Sequence, residues 1–265
     1  MPPCNVLCRR LARLSLVTLA ILALPVHASP SVHVYAAASL TDALDAAAAR
    51  YEQTHDVDIV PVYASSSTAA RQVVNGAPAD LYFSANERWM DWLSGQGIAL
   101  QARTDLLQNR LVLIASPQND ADPFTPGEGE PLITHLEDDQ RLAVGDPAHV
   151  PAGIYTKQAL ESLGEWSALE PRLARADNVR AALALVERGE TPLGIVYRTD
   201  AMASDKVRQL GLFPSDGHPP ITYPVALIGD SPDDAARDFR AWLESDEALS
   251  VFTDFGFLPA DPHGH

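Results

Sequence analysis

The sequence predicts an α/β fold of two lobes, in which each lobe holds a mostly parallel sheet flanked by helices and a ligand cleft lies between the lobes. Short β-rich runs alternate with helical patterns along almost the whole chain, as is typical of sheets covered on both faces. A middle block has the pattern of a complete α/β unit inserted into another one, and two crossings between such units leave a cleft. We therefore expect lobe 1 to comprise residues 30–109 and 221–260, and lobe 2 to comprise residues 110–220.

The elements of the first block follow one another at short intervals. Runs rich in β-branched and aromatic residues predict strands, and apolar residues at helical spacing predict helices. Strands are expected at 32–36, 57–63 and 79–85, and helices at 41–53, 68–75 and 86–97.

The second block begins with the apolar run "RLVLIAS" at 110–116. A Pro- and Gly-rich stretch follows at 117–131 and is the one obvious linker-like loop. Further strands are expected at 141–146, 193–197 and 223–229, and helical segments at 152–164, 178–190 and 232–257.

Residues 1–28 have the three parts of a secretory signal peptide. A start with three arginines precedes an apolar run at 14–24, and a small-residue cleavage site ends at Ala28. The apolar run is too short to span a bilayer comfortably, which argues against the alternative of a membrane anchor. Cleavage is therefore expected after Ala28.

Both cysteines of the chain, Cys4 and Cys8, lie in this leader, so the mature chain is expected to have no disulfide, no thiol nucleophile and no cysteine metal ligand. The leader also holds three of the 19 basic residues and none of the 35 acidic ones, so its removal changes the formal net charge from −16 to −19. Such a surface repels nucleic acid and anionic lipid. It does not exclude a buried anion, whose binding depends on local donors.

Two consecutive strand-to-helix turns consist of alanine, serine and threonine without any cationic side chain. The first contains Ser39 and the second, "ASSST", contains Ser66. Helix starts at the carboxyl ends of strands offer unpaired N–H groups and can bind an anion without a basic side chain. The alternative interpretation is ordinary N-capping, by Ser39 together with Asp42 and by Ser66 or Ser67.

The second block offers similar features. "GDPAHVPAGIY" leads a strand into a helix at Pro151-Ala152-Gly153, and another helix begins near Val179. A strand ends at Tyr197, whose hydroxyl can donate a hydrogen bond, although a single tyrosine in such a position is more often a core aromatic.

Six segments in this order carry a resemblance to a known family. They are "AAASLTDAL", "ASSSTAARQV", "GAPADLYFSAN", "RLAVGDPAHVPAGIYTKQAL", "DNVRAALALVERGETPLGIVY" and "YPVAL". Together they resemble the periplasmic molybdate-binding proteins of ABC importers, from about Val32 to Phe257. The motifs around the "SSS" turn and the "HVPAGIY" turn are long and specific.

The resemblance implies a two-lobed periplasmic binding protein fold (type II) that closes over a tetrahedral oxyanion. It implies ligand contacts from Ser39 and Ser66 on lobe 1, and from Ala152, Val179 and Tyr197 on lobe 2. The serines would donate through hydroxyl and backbone N–H groups, Ala152 and Val179 through backbone N–H groups, and Tyr197 through its phenol. Molybdenum would be present only as molybdate, without a direct protein ligand to the metal and without any cofactor.

The same resemblance implies the biological setting. The expected ligand is molybdate or tungstate, and the expected partners are an ABC membrane permease and its cytoplasmic ATPase. We expect a periplasmic monomer that is not an enzyme and does not bind nucleic acid.

Two other classes of function compete with this one. A hydrolase, with Ser39 or Ser66 as nucleophile and His33 or His149 as base, is disfavoured because no G-x-S-x-G, HExxH, P-loop or GxGxxG motif occurs and nothing in the sequence pairs either histidine with a serine. The other alternative is a receptor for sulfate, phosphate or an amino acid. An amino acid would require a basic and an acidic side chain such as Arg71 and Asp80, and phosphate would require an acceptor for its proton. The His-Gly-His end of the chain is interpreted as a frayed tail.

Overall fold

The computed structural model describes residues 29–260. The expected signal peptide at 1–28 and the His-Gly-His tail lie outside the described residues. Between residues 29 and 260, no helix combines the length and apolar character needed to cross a bilayer.

The described chain alternates strands with helices, as the sequence predicts. Its strands are β1 (Ser31–Ala37), β2 (Asp58–Ala64), β3 (Leu81–Phe83), β4 (Leu100–Asn109), β5 (Leu111–Ala115), β6 (Leu142–Gly145), β7 (Leu173–Ala176), β8 (Leu193–Tyr197), β9 (Arg208–Leu212), β10 (Ile221–Ile228) and β11 (Leu258–Pro259). Its α-helices are α1 (Thr41–Glu52), α2 (Ser66–Val74), α3 (Glu87–Gly95), α4 (Pro151–Ser162), α5 (Trp166–Leu169), α6 (Val179–Glu187), α7 (Arg198–Met202), α8 (Asp234–Trp242) and α9 (Asp246–Asp254). Short 3-10 helices cover Ala38–Leu40, Leu132–His135 and Glu170–Arg172.

The strands form two sheets. Sheet I has the order β11-β4-β10-β3-β1-β2, and sheet II has the order β7-β6-β8-β5-β9. Helices α1 and α2 pack against β2 and β1 of sheet I, whereas α4 and α6 pack against β6 of sheet II. The predicted α/β architecture with two helix-flanked sheets is thus confirmed.

Both sheets are mixed, whereas the sequence suggested mostly parallel ones. The βαβ units give parallel pairs, namely β1 with β2 and β3, and β6 with β7 and β8. The pairs of β10 with β3 and β4, and of β5 with β8 and β9, are antiparallel. The strands that run against their neighbours, β5 and β10, are the first strands after the two passages of the chain between the sheets. Neither passage contains a helix, whereas a parallel pair requires a crossover connection that is usually helical.

Strand β4 was not predicted, and neither were β7 and β9. Each of these strands carries charged residues, and β4 has two exposed positions in its first half. A strand of this kind lacks both the continuous apolar run and the strict alternation on which sequence patterns depend.

The registers of the parallel strands place the functional turns next to each other. Ala37 at the end of β1 pairs with Ala64 at the end of β2. Gly145 at the end of β6 pairs with Ala176 at the end of β7. The helices that follow these strands therefore begin at the same edge of their sheet.

Gly153 allows α4 to begin close to the end of β6. A Cβ atom at Gly153 would lie 2.0 Å from the carbonyl oxygen of Gly145 and 2.7 Å from the carbonyl carbon of Asp146. Both neighbours are backbone atoms, so a side chain here would push the start of the helix away from the strand.

We predict that Gly153→Ala lowers the free energy of unfolding by about 1–3 kcal/mol, because the methyl group overpacks this turn. Gly95→Ala is the matched control, since Gly95 is exposed at the end of α3 and a Cβ there would meet nothing within 4 Å. Denaturant unfolding of both variants measures the difference. Equal stability of the two variants would show that the turn has room for a side chain.

Candidate anion-binding site

The five residues that the sequence proposed as ligand contacts all line one small cavity. Ser39, Ser66, Ala152, Val179 and Tyr197 come from both sheets or from the helices that follow them, and they meet at this place. None of the five is more than 4% exposed. The cavity is small, with a volume of about 10 Å³.

Three helices point their N-termini at the cavity. Ser66 and Val179 are the first residues of α2 and α6, and Ala152 is the second residue of α4, after Pro151. The first N–H groups of a helix have no acceptor within the helix and lie at the positive end of its dipole. Because Pro151 has no N–H group, Ala152 provides the first such donor of α4.

The Ser66 side chain is arranged as a hydrogen-bond donor to the cavity. Its Oγ accepts the backbone N–H of Ala85 at 2.9 Å, and the Ser66 carbonyl accepts the Tyr82 hydroxyl at 2.8 Å. With Oγ engaged as an acceptor, the hydroxyl proton of Ser66 is available to a ligand.

The capping interpretation of these turns is wrong for both proposed serines. The N-cap of α2 is Ser65, whose Oγ accepts the N–H of Thr68 at 3.3 Å. The N-cap of α1 is Leu40, and no side chain in the described part of the chain caps the adjoining 3-10 helix or α1. Ser39 and Ser66 are therefore not required for helix capping.

The phenol of Tyr197 has no hydrogen-bond partner among residues 29–260, although its oxygen is buried. An unpaired buried hydroxyl costs about 1–3 kcal/mol, so pairing of this phenol with an acceptor on a ligand is favourable. Burial raises the pKa of Tyr197 well above its ordinary value, helped by the nearby Tyr223. The group therefore keeps its proton and can only donate to an anion.

No charged side chain is among the cavity-lining residues in the described part of the chain. The nearest arginine in sequence, Arg180, is occupied by two carboxylates: its Nη2 lies 2.7 Å from Asp42 Oδ2 and its Nε lies 2.6 Å from Asp200 Oδ1. Burial raises the pKa of Asp200 to about 6, although Arg180 acts in the opposite direction. The positive charge of Arg180 is thus largely balanced by its neighbours.

Residues on the helices packed against sheet I contact residues attached to sheet II at two places beside the cavity. On one flank, Ser67 Oγ lies 3.0 Å from His149 Nδ1, and Trp89 Nε1 donates to the His149 carbonyl at 2.8 Å. On the other flank, Asp42 on α1 pairs with Arg180 on α6. His149, considered as a general base from the sequence, thus bridges the two sides.

Two residues behind the cavity were not predicted from the sequence. Ser39 Oγ lies 2.9 Å from the hydroxyl of Tyr223, which accepts a hydrogen bond from Asn109 Nδ2 at 3.2 Å. Tyr223 and Asn109 lie on β10 and β4, far from Ser39 in sequence. Tyr223 belongs to the "YPVAL" segment, but nothing in that segment indicates a contact with Ser39. A local signal for this contact does not exist.

The comparison with known proteins agrees with this geometry. A family model described as bacterial extracellular solute-binding protein matches residues 32–258. The chain is 45% identical over 227 residues to the molybdate-binding protein ModA of Escherichia coli (strain K12), covering 85% of this chain and 88% of that protein. It is 46% identical over 232 residues to ModA of Haemophilus influenzae (strain Rd), covering 87% and 91%. The chain therefore belongs to the family of bacterial extracellular solute-binding proteins.

A solved structure shares the fold. The periplasmic molybdate-binding protein of Azotobacter vinelandii superposes with a TM-score of 0.75 at 23% identity, covering 87% of this chain and all of that one. The periplasmic binding protein fold implied by the motifs is thus confirmed, and so is the resemblance to molybdate-binding proteins.

We predict that Tyr197 does not ionise in the folded protein up to about pH 10. Because its folded-state pKa is raised, the phenol loses its proton only at a pH above the ordinary range. Phenolate absorbance during an alkaline titration should therefore be the same for wild type and Tyr197→Phe while both are folded. In denaturant the two should differ by one phenol, which is the internal control. A difference between the folded proteins with a midpoint below pH 10 would contradict the prediction.

Proposed function

We propose that this protein binds molybdate in the cavity and delivers it to an ABC-type permease with a cytoplasmic ATPase for import. The observation that carries the proposal is a buried cavity at which helix N-termini and hydroxyl groups converge without a charged side chain. The high identity to molybdate-binding proteins supports the same ligand. Membership in a solute-binding family also indicates a binding rather than an enzymatic role.

The proposed contacts suit a dianion that carries no proton. In this proposal, molybdate accepts hydrogen bonds from Ser39, Ser66, Ala152, Val179 and Tyr197. Hydrogen bonds to a charged acceptor are worth about 1.5–3 kcal/mol each, so several of them bind the ion without a cationic side chain. Molybdenum itself has no protein ligand here, and residues 29–260 contain no cluster of three or more metal-ligating side chains.

The cavity selects by protonation and by size. Hydrogen phosphate would place its proton against donors and leave it without an acceptor among the five contacts. Sulfate is smaller than molybdate and could not reach all donors at once, which leaves buried donors unpaired at about 1–3 kcal/mol each. Tungstate has nearly the size of molybdate, so we propose that it binds with similar affinity.

We propose that residues 30–109 with 221–260 and residues 110–220 move as two lobes. Ser39 and Ser66 belong to the first, whereas Ala152, Val179 and Tyr197 belong to the second. A ligand can bond to both groups only when the lobes are together, so its binding favours the closed arrangement. The contact of Ser67 with His149 supports this view, because it joins the two lobes beside the cavity.

We propose the cellular location of the protein from its N-terminal leader and its family membership. Residues 1–28 would direct export and be removed after Ala28, which leaves a periplasmic protein that we propose to be monomeric. This location agrees with the family description as extracellular solute-binding proteins.

A receptor for an amino acid is less well supported. Arg71 lies over the ring of Trp89 with its Cζ atom 5.0 Å from the ring centroid, and Asp80 accepts the backbone N–H of His33 at 2.7 Å. Neither side chain lines the cavity. The small enclosed space would need only a slight outward movement for a compact ion, and a much larger one for an amino acid.

We predict that Ser39→Ala and Ser66→Ala each weaken molybdate binding by about 1–3 kcal/mol, or roughly 5- to 150-fold, because each removes a charge-assisted hydrogen bond. Ser94→Ala is the control, since Ser94 is exposed on α3. Calorimetric titration measures all three variants beside wild type. Wild-type affinity in both site variants would refute the proposed contacts, and a wild-type protein that ignores molybdate would refute the function.

We predict that Asp42→Asn speeds molybdate release by about 2- to 5-fold, because it weakens the pair with Arg180 that joins the two sides. Asp45→Asn removes the same charge from the same helix, but Asp45 accepts a hydrogen bond from Tyr63 instead. Stopped-flow measurement of the dissociation rate separates the two. If both variants release the ion at the same rate, the effect is one of net charge and not of the pair.

A further inference from the structure

A chain of hydrogen bonds leads from the connection between the sheets to the cavity. It begins at Asn109, the last residue of β4, and passes through the Tyr223 hydroxyl to Ser39. Asn109 is 7% exposed, Tyr223 is fully buried and Ser39 is 2% exposed. Tyr223 and Asn109 do not line the cavity, and their hydrogen bonds reach it through Ser39. The ring of Tyr223 also packs on Tyr197 with centroids 5.9 Å apart, a contact that a phenylalanine at this position would keep.

The direction of the chain is fixed at Asn109. Its Oδ1 accepts the backbone N–H of Arg110 at 2.9 Å, which identifies that atom as the oxygen because an N–H donor requires an acceptor. The amide nitrogen must then face the other two partners, and it donates to Thr199 Oγ1 at 2.9 Å and to Tyr223 Oη at 3.2 Å.

The direction continues through Tyr223. In the described part of the chain its hydroxyl has two hydrogen-bond partners, Asn109 and Ser39. Since Tyr223 accepts from Asn109, its own proton is satisfied only by donation to Ser39 Oγ. The reverse arrangement would leave a buried phenol proton without an acceptor, which is unfavourable. Burial raises the pKa of Tyr223 well above its ordinary value, so this proton is present throughout the physiological range.

We propose that Asn109 and Tyr223 are positioning residues that fix the Ser39 hydroxyl as a donor to the bound oxyanion. Because Ser39 Oγ accepts from Tyr223, the Ser39 proton is directed away from Tyr223 and toward the cavity. The relay occupies one of the two lone pairs of Ser39 Oγ and orients the hydroxyl as a donor, and so it favours oxyanions without a proton over those that carry one. This inference rests on the proposed function for the identity of the ligand.

A double-mutant cycle tests the relay, with calorimetric titration of molybdate into wild type, Tyr223→Phe, Ser39→Ala and the double variant. Tyr223→Phe keeps the ring that packs on Phe257 with centroids 5.3 Å apart, and so preserves the core. We expect it to weaken molybdate binding about 10-fold in the wild-type background and less than about 2-fold in the Ser39→Ala background. We also expect it to narrow the preference for molybdate over phosphate.

Tyr51→Phe is the matched control, because Tyr51 is buried on α1 and packs against Phe239 and Trp242 instead of the cavity. It should leave affinity and selectivity unchanged. Equal losses from Tyr223→Phe in both backgrounds would overturn the relay, because a general loosening of the core does not depend on the Ser39 hydroxyl. Unchanged affinity in Tyr223→Phe would overturn it as well.

The outcome for wild type separates the relay from the proposed function. If wild type ignores molybdate but binds sulfate, the proposed function fails, and the same cycle run with sulfate still decides the relay. If wild type binds none of molybdate, tungstate, sulfate and phosphate, both proposals fail.

Discussion

The hydroxyl of Tyr197 is buried at a cavity where three helix N-termini converge, and it finds no acceptor among residues 29–260. This shortage of acceptors is the constraint on which the site depends. Unpaired donors are costly in a protein interior, and they can be satisfied together only by a solute rich in acceptors.

The fold brings donors together without acceptors because the two sheets meet at the carboxyl ends of their parallel strands. Neighbouring parallel strands end at paired residues, namely Ala37 with Ala64 in sheet I and Gly145 with Ala176 in sheet II. The helices that follow these strands therefore begin close together within each half. Residues of both halves line the cavity and surround it with donors. Because Arg180 is held by two carboxylates beside the cavity, the proposed recognition relies on neutral dipoles, whose fixed geometry favours selection by size and protonation.

Much of this could be predicted from the sequence because it resides in local patterns. The strand-to-helix turns and their small residues are contiguous in the chain, so Ser39 and Ser66 could be proposed from local patterns, whereas Tyr197 was proposed through the family resemblance. The hydrogen bond between Ser39 and Tyr223 could not be predicted, because Tyr223 is 184 residues away and comes close to Ser39 only through the strand pairing of sheet I. Likewise, β4 could not be predicted, because its charged and partly exposed residues give no strand pattern.

A crystal structure of the protein with molybdate, located by the anomalous signal of molybdenum, tests the central claim most directly. The account predicts one molybdenum position in this cavity, with its oxygens within about 3.2 Å of donors from both halves, including the Tyr197 hydroxyl. Molybdenum found elsewhere on the protein, or held in the cavity by a lysine or arginine side chain, would contradict it.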